Sequence, residues 1–152
     1  MKYPLLILAV LGVIVSSLAL REHYREYGDS PCSINEHWDC GVVNHSPYAM
    51  LDGVFGPTGI GFVDRILRAT PVAVAGIAAY ILIAGIAFFR SYRLLLLPTF
   101  GGLAFSLYLA HIEKDILGVW CIYCVISLGI ISLMSLLTLG AVVAQLRKRS
   151  SP

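Results

Sequence analysis

Four long apolar stretches, residues 4–20, 70–89, 94–112 and 119–146, alternate with polar segments along the chain, and no charged side chain falls inside any of them. About 20 residues of helix cross the hydrocarbon of a bilayer, so the pattern predicts four transmembrane helices. The polar segment 21–69 carries a second pattern. Phe62, Val63, Ile66 and Leu67 recur at helical spacing with Asp64, Arg65 and Arg68 between them, after a stretch broken by Gly53, Gly56, Pro57, Gly59 and Gly61. This predicts a short amphipathic helix lying on the membrane surface and capping the bundle; a solvated loop with scattered aromatics is the alternative. The expected fold is all-α: a single domain over residues 1–152, an integral membrane four-helix bundle with an extracytoplasmic capping loop at 21–69.

Composition agrees with a membrane protein. Hydrophobic residues make up 58% of the chain and charged residues 13%, against roughly 45–50% and about 25% in soluble domains. The net charge is +2, so no long-range field favours nucleic acid, and no nucleic-acid partner is expected. Lys2, the first apolar run and the small residues near Ser17-Leu18-Ala19 also imitate a cleavable signal peptide. Its removal would leave the sidedness of everything downstream unchanged. Basic residues in short connections set orientation. Lys2, Arg90 with Arg93, and Arg147-Lys148-Arg149 fall on one side after even numbers of crossings, which makes both termini cytoplasmic. The connections 21–69 and 113–118 then share the extracytoplasmic side, and all nine acidic residues lie there.

All four cysteines also lie on that side. Cys121-Ile122-Tyr123-Cys124 is a C-x-x-C at the outer mouth of the fourth helix, where thiols three apart share a face and the helix dipole favours the Cys121 thiolate. Cys124, one turn deeper, is expected at the edge of the hydrocarbon, within reach of a lipid-soluble oxidant. Cys32 and Cys40 sit in the long first connection, so thiols can pass between the two pairs by exchange. Zinc binding fits poorly, because one pair is split by seven residues and the other is built into a membrane helix. Two stapling disulfides and inert buried cysteines are the other bland alternatives. Redox work is favoured because a C-x-x-C at a helix start makes a disulfide easy to reduce and reform.

The run Cys32-Ser33-Ile34-Asn35-Glu36-His37-Trp38-Asp39-Cys40, then Ser46, the Gly-rich stretch with Phe62-Val63-Asp64, and the helix-borne Cys121-Ile122-Tyr123-Cys124 resemble the vitamin K epoxide reductase family, in its small bacterial and archaeal members. The resemblance spans nearly the whole chain. It implies a four-helix bundle around a quinone, ubiquinone or menaquinone, that accepts electrons. It further implies that Cys124 reacts with the quinone, that Cys121 is its disulfide partner, and that Cys40 exchanges with Cys121. Cys32 would exchange with an external thioredoxin-fold protein, and Ser46 would hold the loop over the substrate; a surface hydroxyl is the alternative for Ser46. Many bacterial members carry a fused thioredoxin-like domain, absent before Pro152, so a separate partner is expected. Members that reduce the epoxide use an asparagine near the start of the second helix and a tyrosine one turn after the C-x-x-C. The aligned residues here are Val72 and Leu128, which turns the expectation from epoxide towards simple quinone reduction.

The expected activity is therefore a quinone-linked thiol-disulfide oxidoreductase of the cell membrane. Electrons would enter at Cys32 and Cys40, move to Cys121 and Cys124, and leave to the quinone, supporting disulfide formation in secreted proteins. Two alternatives remain open: reduction of a quinone or epoxide as the physiological purpose, and a structural membrane protein with two stapling disulfides. Among other residues, Asn44-His45-Ser46 matches a glycosylation sequon by chance. His111 reads as an interfacial group ahead of a proton donor, His37 and His45 as loop residues ahead of thiol activators, and Trp120 as an interfacial anchor.

Overall fold

The computed structural model describes residues 2–26 and 30–150. Met1, Tyr27 to Asp29, Ser151 and Pro152 lie outside the described residues, as does the side chain of Arg149, one of the basic groups used for orientation. Among the described residues seven α-helices follow in order: α1 (Lys2–His23), α2 (Cys40–His45), α3 (Leu51–Phe55), α4 (Gly61–Ala69), α5 (Val72–Phe88), α6 (Tyr92–Ile112) and α7 (Ile122–Ser150). No strand occurs among the described residues; a few isolated backbone bridges tie the loops. Three helical segments are long and apolar enough to cross a membrane: Lys2–His23, Tyr92–Leu117 and Ile122–Lys148. The fourth expected span, α5, is a shorter apolar helix of 17 residues, about 26 Å at 1.5 Å per residue.

The long helices pack on one another as their small residues dictate. α1 lies against α5 and α7, while α6 lies against α7 and α5. At Gly12 of α1 the Tyr80 ring of α5 presses so close that any side chain would collide with it, the close approach small residues permit between membrane helices. Between α6 and α7 the Ser135 hydroxyl donates to Thr99 O at 3.1 Å and Ile131 O at 2.8 Å. Leu5, Ala9, Ile83, Ala87, Leu95, Ile131 and Met134 close a dry core in one half of the molecule. The outward faces are apolar as well, with Ile7, Phe88, Leu97 and Leu136 largely exposed, as suits helices surrounded by lipid.

The helix expected after the glycine-rich stretch is present as α4, preceded by Gly56 and Gly59 at φ 70° and 78°, conformations that glycine adopts without strain. None of its side chains is fully buried: Val63 and Leu67 are partly covered, and Phe62 is 73% exposed. The expected exposed connection at 113–118 differs more. α6 runs on into a π-helical turn, Glu113–Leu117, that ends at Gly118 with φ 69°. Such wide turns re-aim side chains inside a helix, and here Glu113 becomes buried.

Candidate active site

A small, tightly bonded turn brings the loop cysteines together. The Asn35 carboxamide oxygen accepts from the backbone N–H groups of His37 and Trp38 at 2.9 and 3.1 Å, an Asx turn. Ile34 N–H then closes onto Trp38 O at 2.9 Å. Cys32 and Cys40 at its two ends are joined in a disulfide with a Cα–Cα distance of 5.6 Å. Asp39 caps α2, its carboxylate accepting from Val42 N–H at 3.1 Å and from the Ser33 hydroxyl at 2.6 Å. The Ser33 bond is the main reason that this carboxyl is held below the usual aspartate range, against a smaller opposing effect of burial.

The turn is clamped to the residues before α7 by backbone alone. Trp120 N–H donates to His37 O at 2.8 Å, and Asp39 N–H donates to Trp120 O at 3.1 Å. Cys40 is thereby set against Cys121, and Cys32, Cys40 and Cys121 form one buried cluster onto which Tyr123 and Cys124 pack. Cys121 and Cys124 are free thiols, the first buried and the second half-buried. Cys121, one residue ahead of α7, has its thiol acidity raised: its pKa lies below the usual cysteine value. A hydrogen bond from the Cys124 side chain is the largest cause, burial works against it, and the N–H groups of Cys124 and Tyr123 at the helix start add to it.

Two polar side chains complete this end of the molecule. The Asn44 carboxamide donates to Cys40 O at 2.8 Å and to Cys121 Sγ at 3.7 Å, so it touches both cysteine pairs from α2. Glu113, 2% exposed, accepts from Cys121 N–H at 3.0 Å, and the Cys124 thiol, whose one proton Cys121 also attracts, lies beside the carboxylate.

Below the cysteines lies a cavity of about 410 Å³, within the roughly 300–1,000 Å³ usual for small-molecule sites. All four long helices line it. Its walls are mostly apolar, and its polar groups include Asn44, Ser46, Glu113, Tyr80 and Ser127, with Cys124 at the cysteine end. The Tyr80 hydroxyl is hydrogen-bonded to Ser127 Oγ at 2.9 Å. Ser46 lines the cavity and spends its hydroxyl on Val43 O at 2.8 Å, ending α2. Val72 is part of the wall, whereas Leu128 packs against the apolar core. His111 is exposed and paired with Asp115 at 2.6 Å. His45 bonds Gly41 O and Arg25 O, both at 2.8 Å, bracing the loop against the end of α1.

A model of the vitamin K epoxide reductase family matches residues 3–139. The chain belongs to that family. No curated protein matches it. Vitamin K epoxide reductase family proteins are membrane oxidoreductases that use quinones. Glu113 was not among the residues singled out by pattern, and Asn44 entered only as part of a chance sequon. The available signal for Glu113 was a carboxylate at the end of an apolar run, eight residues before Cys121.

Proposed function

We propose that the protein is a membrane thiol-disulfide oxidoreductase that oxidises an extracytoplasmic thioredoxin-fold partner and passes the electron pair to a quinone, ubiquinone or menaquinone, so supporting disulfide formation. The observation that carries this is the convergence of the Cys32–Cys40 disulfide and Cys121 in one buried cluster, with Cys124 packed against it and lining the cavity. α5 joins the three longer helices in crossing the bilayer, 1–152 forms one membrane domain, both termini are cytoplasmic, and α4 lies on the outer surface.

The partner's thiolate attacks Cys32, freeing Cys40, and a second partner thiol then releases the partner as a disulfide. Cys40 then attacks Cys121 of an oxidised Cys121–Cys124 disulfide and expels the Cys124 thiolate; Cys32 attacks Cys40 in the resulting mixed disulfide, re-forming the outer disulfide and leaving Cys121 and Cys124 as thiols. An outer disulfide above two inner thiols is the arrangement expected after that transfer. Cys124 faces the quinone and Cys121 closes the disulfide as the quinone becomes hydroquinone. Cys32 is buried beneath the exposed residues 33–37, so the partner reaches it when that turn lifts. Ser46 holds the end of α2 over the cavity. Val72 and Leu128 supply no hydrogen bond to a ring oxygen, which favours quinone over epoxide as substrate.

The test is quinone reduction by purified protein with dithiothreitol as donor, comparing wild type, Cys124→Ala and Cys32→Ala. Wild type is expected to be active and Cys124→Ala inactive, with Cys32→Ala retaining activity because a small reductant reaches the inner pair directly. A wild type that reduces no quinone while both cysteine pairs resist the reductant as disulfides would make this a stapled structural protein.

A further inference from the structure

A carboxylate as buried as Glu113 is costly unless its neighbours compensate it. Among the described residues it enters no ion pair. Its contacts are instead with the redox machinery. One oxygen holds the Cys121 N–H at 3.0 Å, and the Cys124 thiol lies beside the carboxylate. The residue also lines the cavity shared with Cys124. The π-helical turn sets it there, with its neighbours Lys114 and Asp115 exposed.

We propose that Glu113 carries the proton between the Cys124 thiol and the substrate held in the cavity. The role rests on the electron path proposed above. In that step the S–S bond between Cys121 and Cys124 forms and an electron pair passes to the quinone, which takes up two protons as hydroquinone. With Cys121 as thiolate, one proton leaves Cys124 Sγ, binds the Glu113 carboxylate and moves to a quinone oxygen. The second comes from water, and charge balances. A backbone amide cannot serve, because it neither gains nor loses a proton in the working pH range. Other titratable groups at this end include Tyr123 on α7, His23 on α1, Tyr48 before α3 and Tyr80 on α5, which line the cavity, with Cys121 beside Cys124; Glu22 on α1 is buried and paired with Arg25, and His111 is exposed and paired with Asp115.

The test uses the full chain in lipid nanodiscs, with its inner pair reduced and mixed in a single turnover with a short-chain ubiquinone, across a range of pH. Glu113→Gln keeps an oxygen for the Cys121 N–H and cannot carry the proton. It is expected to oxidise its inner thiols on the order of a hundredfold slower than wild type, with unchanged quinone KM and unchanged exchange between the cysteine pairs. Glu113→Asp, which retains a carboxyl, is expected to be faster than Glu113→Gln and to keep the wild-type form of the pH profile. Glu113→Gln at the wild-type rate with the wild-type pH profile overturns the role and leaves the electron path standing. So does a folded Glu113→Asp no faster than Glu113→Gln. Inactivity of the wild type overturns the electron path, and this role with it.

Discussion

The acidity of Cys121 gives a direct measure of how the C-x-x-C works. Its thiolate is favoured first by a hydrogen bond from Cys124 and then by N–H groups at the start of α7, and the two contributions can be separated. In a background with Cys32→Ala and Cys40→Ala, Cys124→Ala and Cys124→Ser each leave Cys121 as the one thiol of the chain. Serine still donates to the Cys121 sulfur, whereas alanine does not. A hydrogen bond to a charged group contributes about 1.5–3 kcal/mol, and about 1.4 kcal/mol corresponds to one pKa unit. Cys121 should therefore titrate about one to two units lower in the serine variant, as read from thiolate ultraviolet absorbance against pH. The sign follows from which form is stabilised: the donor favours the charged sulfur, so its loss moves the midpoint up. Identical midpoints in the two variants would refute the hydrogen bond as the main cause and leave the helix N-terminus as the source of the acidity.

Other outcomes follow from single contacts. Asn44→Ala leaves the Cys40 carbonyl without its buried partner and should cost about 1–3 kcal/mol, seen as a lower Tm, with slower exchange between the cysteine pairs in a thiol-trapping time course. Gly12→Ala drives a methyl into the Tyr80 ring and should cost about 1–3 kcal/mol by overpacking; Tyr80→Ala should lower Tm less in the Gly12→Ala chain than in wild type, the non-additivity expected of two groups in contact. Asp39 has its carboxyl pKa depressed by Ser33, so its contribution to holding the loop is present above the ordinary aspartate range and is lost as pH falls through the depressed value. Limited proteolysis of the loop should accelerate at that acidic end in wild type, while Asp39→Asn should show faster cleavage at neutral pH and little further change on acidification.

The apolar runs revealed the helices because length and hydropathy are local properties. They revealed the ends less well: α5 is shorter than the run 70–89, and α6 continues past Ile112 as a π-helical turn. Glu113 escaped notice for that reason. A charge at the end of an apolar stretch ordinarily marks the place where a helix leaves the membrane, and only the wide turn folds it back beside Cys121. Asn44 escaped for another reason, since its pattern in sequence was that of a glycosylation site, while its amide is 7% exposed and committed to Cys40 and Cys121. The cysteines themselves were legible from residue type and spacing. Their meeting was expected from the family resemblance and the shared side, but the clamp that holds them together was not legible, because it consists of backbone bonds from Trp120 that carry no side-chain signature. The amphipathic stripe of α4 was read from its period, yet period alone could not say that Phe62 would stay uncovered.

That pair of backbone bonds at Trp120 has a kinetic side. No side chain makes the two bonds themselves, so side chains reach the clamp only indirectly, through Asn35 and Ser33, which shape the turn that presents His37 and Asp39. The lifetime of the closed turn is set by those main-chain bonds together with the two side chains behind them. In the electron path proposed above, where Cys32 is reached when the turn lifts, that lifetime is a speed limit shared by every partner.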